Sequence, residues 1–160
     1  MTTSEASRAL RRLFASTPAR TFLLYPLGVI AFELVIRRGD LVFVPWGALL
    51  LAWGYLQFRL TGHYRVEHGG GGPGLTVPPE RLVTNGVYAY TRNPMYLGHL
   101  IFMLGLAVTF RSWFALALFA VHALWFHRRV LGDEAGLRAR FGVQYEEYQK
   151  RVKRWLPGLF

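Results

Sequence analysis

Residues 82–98 read LVTNGVYAYTRNPMYLG and mark the point where a polar loop re-enters a hydrophobic segment. The stretch combines a turn signal at Asn85-Gly86, three tyrosines, an arginine and the pair Asn93-Pro94. Proline is favoured in the first turn of a helix and asparagine is a common N-cap residue, so a helix is expected to start here. A segment that only enters a membrane needs few polar groups at this point. We therefore expect a ligand site at this helix entrance, whose unpaired N–H groups can bind an anion.

The chain has 160 residues, of which 52% are hydrophobic, and its mean hydropathy is +0.23. The apolar residues are grouped in blocks rather than spread along amphipathic helices. The shorter blocks fall below the roughly 20 residues that cross a bilayer comfortably, and local thinning or a tight hairpin can compensate. We expect an all-α integral membrane protein of one domain, with about four transmembrane helices at residues 22–36, 41–60, 95–110 and 113–126.

Basic residues are distributed unevenly among the predicted connections. Most of them precede the first span, lie between the second and third, or follow the fourth, whereas the other two connections carry only Arg37, Arg38 and Arg111. By the positive-inside rule, both termini and the central loop are cytoplasmic. Topology and attraction to anionic lipid then explain the net charge of +10 better than nucleic-acid binding does. The expected order is a cytoplasmic segment at 1–20, two spans at 21–60, a cytoplasmic loop at 61–94, two spans at 95–130 and a cytoplasmic tail at 131–160.

The residue types present argue against a metal centre. No cysteine is present, which excludes disulfides, thiolate metal sites and a cysteine nucleophile. Among the five histidines, His63 and His68 are five positions apart, as are His122 and His127. That spacing does not put a pair on one helix face, as an i, i+4 ligand pair requires. We expect no metal.

The central loop and the tail differ in character. Residues 68–74, HGGGGPG, predict a flexible tether. In the tail, Gly142 is expected to divide an apolar stripe into two short helices, and such a stripe can lie on lipid. Lipid contact alone does not explain an acidic pair directly after a span. The stripe consists of Leu137, Phe141, Tyr145, Tyr148, Val152 and Trp155.

Several separated motifs occur together in the C-terminal half. They are NGVYAYTRNPMYLG at 85–98, the pair Asp133-Glu134, and then, in order, Phe141-Gly142, Tyr145, Tyr148, Val152, Arg154 and Pro157. In order and spacing they resemble the isoprenylcysteine carboxyl methyltransferase family and its bacterial relatives, which include phospholipid N-methyltransferases. Asn93 stands where many members have histidine, and Asp133 where many have glutamate. The first half of the chain resembles the family only in its hydropathy pattern.

The resemblance implies a methyltransferase that uses S-adenosylmethionine and releases S-adenosylhomocysteine. A sulfonium is held best by aromatic faces, a carboxylate by arginine or helix N–H groups, and an ammonium by a carboxylate. By similarity, Glu134, Arg154 and His99 are the expected catalytic residues, with Glu134 or His99 as the base for an ammonium or thiol acceptor. Gly98 would let the ligand approach the backbone. The expected cofactor-binding residues are Tyr88, Tyr90, Arg92, Asn93, Pro94, Tyr96, Gly98, Glu134, Tyr145, Tyr148 and Arg154.

Apolar residues near the expected cofactor groups, among them Phe102, Met103 and Trp125, favour a small lipophilic or amphiphilic acceptor that carries a carboxylate, an amine or a thiol. Membrane lipids are expected partners, the bacterial inner membrane is the expected location, and the oligomeric state is left open. Short C-terminal helices are expected to cover the cytoplasmic cofactor site as a lid. His99 and His122 are expected either to bond to a neighbouring helix or to line the acceptor pocket.

Two other classes of protein remain open at this point. A small four-helix transporter would use Glu33, since an acidic residue inside a span is a functional candidate. However, Arg37 lies four residues later and can pair with Glu33. A non-catalytic membrane scaffold would bind no cofactor at all.

Overall fold

The computed structural model describes residues 14–72 and 77–156. Within these ranges the chain is helical and contains no β-strand, which confirms the all-α prediction. A short 3₁₀ turn, Gly86–Ala89, precedes the third of five helices. The helices are α1 (Thr17–Ile36), α2 (Pro45–Gly69), α3 (Pro94–Phe110), α4 (Trp113–Phe141) and α5 (Val143–Arg151). The predicted N-terminal segment and Pro157 lie mostly or wholly outside the described residues.

The four predicted apolar blocks fall in helices, except for residues 41–44, which precede α2. Not all of these helices meet the requirements for a membrane span. In the described part of the chain, α1 and α4 have both the length and the composition of a span. Helix α3 has 17 residues, and α2 carries Arg59, Arg65 and Glu67 in its second half. A count of four spans therefore stays a prediction.

Helix α1 contains a wider turn near its start. Ser16 caps the helix by accepting a hydrogen bond from the N–H of Ala19, and a π-helical turn follows at Arg20–Leu24. The N–H of Tyr25 donates to the carbonyl of Arg20, five residues back. Directly after it, Pro26 has no N–H, and its ring would clash with a carbonyl four residues back in a regular α-helix. The wider turn avoids that conflict and places Arg20 beside α4.

Helices α2 and α3 pack with their backbones in close contact. A Cβ added at Gly98 would lie 2.8 Å from the carbonyl oxygen of Gly54 and 2.9 Å from the backbone nitrogen of Phe58. One added at Gly105 would lie 2.8 Å from the backbone nitrogen of Leu51. Small residues permit this kind of crossing between apolar helices. The predicted close approach at Gly98 is thus made by α2, and no space for a ligand remains there.

The central loop is more ordered at its start than its composition predicts. Helix α2 continues past the expected end at position 60 and includes the first two residues of the expected tether. Gly70 ends it with φ +71°, a left-handed conformation that glycine adopts easily. The carbonyl of Gly69 accepts hydrogen bonds of 2.8 Å from the N–H groups of both Glu80 and Arg81. These bonds hold the two sides of the loop together.

Part of the apolar stripe of the tail packs on the loop. Tyr145, Tyr148 and Val152 are buried and contact Leu82 together with the end of α4. Gly142 has φ +52° and separates α4 from α5, which confirms it as the helix break. The first half of the apolar stripe, however, belongs to the 29-residue helix α4 and forms no short helix of its own.

At the opposite end of the bundle, a local ion pair accounts for Glu33. Its carboxylate accepts a hydrogen bond of 2.6 Å from Nε of Arg37, as the spacing of four predicts. Arg37 also donates to the carbonyl of Arg111, at 3.1 Å, in the connection between α3 and α4. The pair therefore links the two short connections at this end.

Candidate functional site

A cavity of about 390 Å³ lies between the central loop, the start of α3, the second half of α4 and α5. Its volume falls within the roughly 300–1,000 Å³ typical of small-molecule sites. Seven of the residues predicted from the sequence line it: Tyr88, Arg92, Asn93, Pro94, Tyr96, Tyr145 and Tyr148. The helix entrance marked by residues 82–98 therefore does border a ligand-sized space.

One wall of the cavity is a glycine face of α4 that the sequence analysis missed. Gly132 and Gly136 both line the cavity, and a Cβ added to either would meet no atom within 4 Å. Residues four apart share a helix face, so side chains at both positions would project into the cavity. In the sequence, two glycines four positions apart around Asp133-Glu134 could have predicted this open helix face. It leaves room for a ligand against the helix.

The tyrosines present neutral phenols to the cavity. Burial raises the pKa of Tyr88 to about 12 and that of Tyr145 to about 12, and it also raises the pKa of Tyr148. The hydroxyl of Tyr148 donates a 2.6 Å hydrogen bond to the carbonyl of Tyr88, which fixes α5 against the loop. Uncharged aromatic faces suit a cationic ligand.

A carboxylate also faces the cavity, but it is not the one that the sequence analysis chose. Asp133 lines the cavity and accepts a 2.6 Å hydrogen bond from the hydroxyl of Tyr96. Its neighbour Glu134 lies on another face of α4 and is not among the lining residues. Gly132, Asp133 and Gly136 belong to one face of α4, and at about 100° per residue Glu134 falls outside that face.

Glu134 forms the centre of a cluster with Arg92, Gln149 and Arg154. Arg92 donates to it from Nε at 3.0 Å, and Arg154 donates from Nη2 at 2.9 Å, so both guanidiniums share one carboxylate. The amide of Gln149 adds a third donor at 3.3 Å. Only 5% of the Glu134 side chain is exposed.

The pKa values within the Glu134 cluster reflect this arrangement. Burial alone raises the pKa of Glu134, but the hydrogen bonds and positive charges of Arg154 and Arg92 outweigh it, and the pKa lies below its ordinary value. The hydrogen bond to Glu134 in turn raises the pKa of Arg154. Glu134 lies beyond the apolar part of α4, and it is ionised at neutral pH.

The Glu134 cluster also ties the tail to the start of α3. Arg92 donates from Nη1 to the carbonyls of Gln149 at 3.2 Å and Val152 at 2.7 Å. Its backbone N–H donates to the carbonyl of Lys153 at 3.0 Å. Thr91 adds a bond from its hydroxyl to the carbonyl of Arg154, at 3.1 Å. The tail is thus held over the cavity by contacts that involve three of the predicted site residues.

The first turn of α3 is left uncapped. Asn93 occupies the N-cap position, but its side chain makes no capping hydrogen bond. The amide donates instead to Glu134 at 3.4 Å and to the carbonyl of Arg154 at 3.3 Å. Met95 and Tyr96 are lining residues of the cavity, and their N–H groups belong to the first helical turn, whose N–H groups have no partner within the helix. They are suited to an anionic group of a ligand.

Three further predicted residues lie away from the cavity. Tyr90 is 68% exposed, and Gly98 contacts α2. His99 is fully buried between the rings of Phe22 and Phe58, and neither ring nitrogen has a hydrogen-bond partner in the described part of the chain. His122, by contrast, bonds to a neighbouring helix, with its Nε2 2.6 Å from the hydroxyl of Tyr25.

These features define a helical protein with a small-molecule cavity where a polar loop meets an apolar helix. The family model described as phospholipid methyltransferase matches residues 42–142, and the chain belongs to this family. The match runs from just before α2 to the end of α4, which includes the glycine wall and the α3 entrance. It confirms the resemblance carried by the motifs.

Curated relatives match about half of the chain. A protein-S-isoprenylcysteine O-methyltransferase of Schizosaccharomyces pombe is 40% identical over 78 residues, which is 48% of this chain and 33% of the relative. A probable enzyme of the same name from Oryza sativa subsp. indica is 38% identical over 97 residues, which is 59% of this chain and 44% of the relative. Protein-S-isoprenylcysteine O-methyltransferase A of Arabidopsis thaliana is 40% identical over 78 residues, which is 48% of this chain and 39% of the relative. The match spans less than half the length of each relative. None of these similarities supports a transporter.

Proposed function

We propose that the protein is an integral membrane methyltransferase that uses S-adenosylmethionine and that the cavity holds this cofactor. The observation that carries the proposal is the composition of the cavity wall. It combines neutral tyrosines, the carboxylate of Asp133, an uncapped helix start and a glycine face within one space of about 390 Å³. Membership of the phospholipid methyltransferase family supports the same reaction class.

The lining residues fit the charged groups of S-adenosylmethionine. The faces of Tyr88, Tyr145 and Tyr148 suit the sulfonium. Asp133 suits the ammonium, and the first-turn N–H groups of α3 suit the carboxylate. Gly132 and Gly136 leave room for the ligand. In this proposal Glu134 and Arg154 act as positioning residues, since their contacts hold the tail over the cavity.

The cofactor supplies an activated methyl group together with its leaving group, so no covalent enzyme intermediate is required. When bound, it would pass this methyl group to the lone pair of the acceptor, and the electron pair of the broken carbon–sulfur bond would stay on sulfur. The work of the protein is to align the two reactants and exclude water, which can contribute ~7–11 kcal/mol. The tail held by the Glu134 cluster covers the cavity and serves this role.

We place a lipophilic or amphiphilic acceptor on the apolar side of the cavity, toward α3. The relatives above are named for a prenylated cysteine, which is such an acceptor. Burying a hydrocarbon chain against apolar side chains gains about 0.8 kcal/mol for each CH₂ group. An amine or thiol acceptor would have to lose a proton, whereas a carboxylate would need no base. His99 is fully buried between Phe22 and Phe58 and away from the cavity, so no contact with the acceptor is assigned to it.

The test is a calorimetric titration of the detergent-solubilised protein with S-adenosylhomocysteine. Gly136→Leu should fill the cavity and weaken binding at least tenfold. Gly28→Leu is the matched control, because Gly28 is an exposed helix glycine on α1 that also has open space around it. Absence of binding in the wild type, or equal affinity in all three proteins, would overturn the proposal. Circular dichroism of each variant establishes that its helices are intact.

A further inference from the structure

A tryptophan outside the cavity interacts with two arginines. The Cζ atom of Arg20 is 5.4 Å from the ring centroid of Trp125, and that of Arg129 is 5.5 Å from it. Both distances are within the roughly 6 Å at which a cation interacts with an aromatic face. Arg20 comes from the π-helical turn of α1, and Arg129 follows Trp125 by one turn on α4. The three residues therefore bridge the crevice between α1 and α4.

The two guanidiniums of this group lack a direct contact with a carboxylate among the described residues. Arg20 donates one long hydrogen bond, 3.4 Å, to Thr17, and its Nε is buried with no partner. Arg129 lies beside the phenol of Tyr96, whose hydroxyl donates to the carboxylate of Asp133. Two guanidiniums on one ring repel each other unless an anion lies near both.

The position of Arg20, Trp125 and Arg129 indicates that such an anion would be a lipid headgroup. Leu23 and Leu27 follow Arg20 along α1 and are exposed, and Val121 is exposed one turn before Trp125. These apolar side chains suit contact with acyl chains. In the proposed topology the two arginines lie just outside the apolar segments, at the level of lipid headgroups, where tryptophan is also enriched. Basic pockets between membrane helices bind such headgroups.

We propose that Arg20, Trp125 and Arg129 form a binding site for the phosphodiester of an anionic phospholipid. The site depends on the membrane location in the proposed function, but not on the methyl transfer itself. None of the three residues lines the cofactor cavity. The lipid held here is therefore a resident ligand that joins α1 to α4, and not the methyl acceptor.

The test compares the protein in nanodiscs of phosphatidylglycerol mixed with phosphatidylcholine and in nanodiscs of phosphatidylcholine alone. We expect the anionic lipid to raise the melting temperature of the wild type. The variant Arg20→Gln should need at least tenfold more phosphatidylglycerol for the same rise. Arg128→Gln is the matched control, since Arg128 is an exposed neighbour on α4, and it should respond as the wild type does. No rise in the wild type, or an equal loss in both variants, would overturn the site.

Two further measurements distinguish a phospholipid from free phosphate and an anionic headgroup from a zwitterionic one. Inorganic phosphate added to the phosphatidylcholine sample should give no rise, and a rise equal to that of the lipid would contradict a lipid source. Native mass spectrometry of wild-type protein from an equimolar lipid mixture should show phosphatidylglycerol retained over phosphatidylcholine, and equal retention would contradict the proposal without any variant. The affinity of Arg20→Gln for S-adenosylhomocysteine should stay within twofold of the wild-type value. This measurement separates a failure of the lipid site from a failure of the proposed cofactor site.

Discussion

Replacing Glu134 by glutamine should destabilise the protein strongly, because two arginines depend on this one carboxylate. The side chains of Glu134 and Arg92 are only 5% and 9% exposed, whereas that of Arg154 is 24% exposed and can rehydrate. Removing one partner of a buried ion pair costs roughly 3–5 kcal/mol. Arg92 keeps its bonds to the carbonyls of Gln149 and Val152, so we expect the lower end, about 3 kcal/mol.

The assay is thermal unfolding in detergent, with Glu147→Gln as the matched control. Glu147 is exposed on α5, and exposed substitutions usually change stability by less than about 0.5 kcal/mol. For a chain of this size each kcal/mol shifts the melting temperature by roughly 2–4 °C, so Glu134→Gln should lower it by about 6–12 °C. Equal melting temperatures for the two variants would refute a stabilising role for the Glu134 cluster.

The same comparison has a defined pH dependence. The pKa of Glu134 is lowered in the folded protein, so its stabilising contribution is complete above the unfolded value of about 4.3. The contribution is lost as pH falls through the folded pKa. The difference between wild type and Glu134→Gln should therefore be full at pH 7 and narrow as the pH falls below about 4.3. A difference that stays constant down to the most acidic pH tested would show that charge is not its cause.

Three other predictions follow from the packing and the topology. Gly98→Ala should lower the melting temperature by several degrees because α2 backbone atoms lie within 3 Å of the added Cβ, whereas Gly28→Ala, which has open space, should not; similar values would contradict the close crossing. On this cysteine-free background, an impermeant thiol reagent outside intact cells should label Asp40→Cys and not Glu147→Cys; the reverse pattern would invert the topology. Labelled methyl groups should pass to lipid-like acceptors, and transfer confined to water-soluble ones would refute the proposed acceptor class.

Local features of the chain could be predicted from the sequence. Helix α3 starts at Pro94 and α4 ends before Gly142, as proline and glycine at these positions indicate. The Glu33–Arg37 pair follows from a spacing of four on one helix. Each of these depends only on residues within one or two turns of one another, so the identity and spacing of neighbours is sufficient. The motifs likewise indicate the family without reference to the fold.

The assignment of roles within the site needed the tertiary structure. Asp133 and Glu134 are adjacent, and only the packing of α4 against the loop and tail decides that Asp133 faces the cavity while Glu134 meets Arg92, 42 residues away in the chain. Gly98 likewise faces α2 because of the angle at which two helices cross. The sequence by itself determined where α3 begins, the glycine break between α4 and α5, the neighbourhood of the candidate site and the family. Which side chain faces a ligand and which holds the tail depends on contacts between distant segments, and no spacing along one helix determines those.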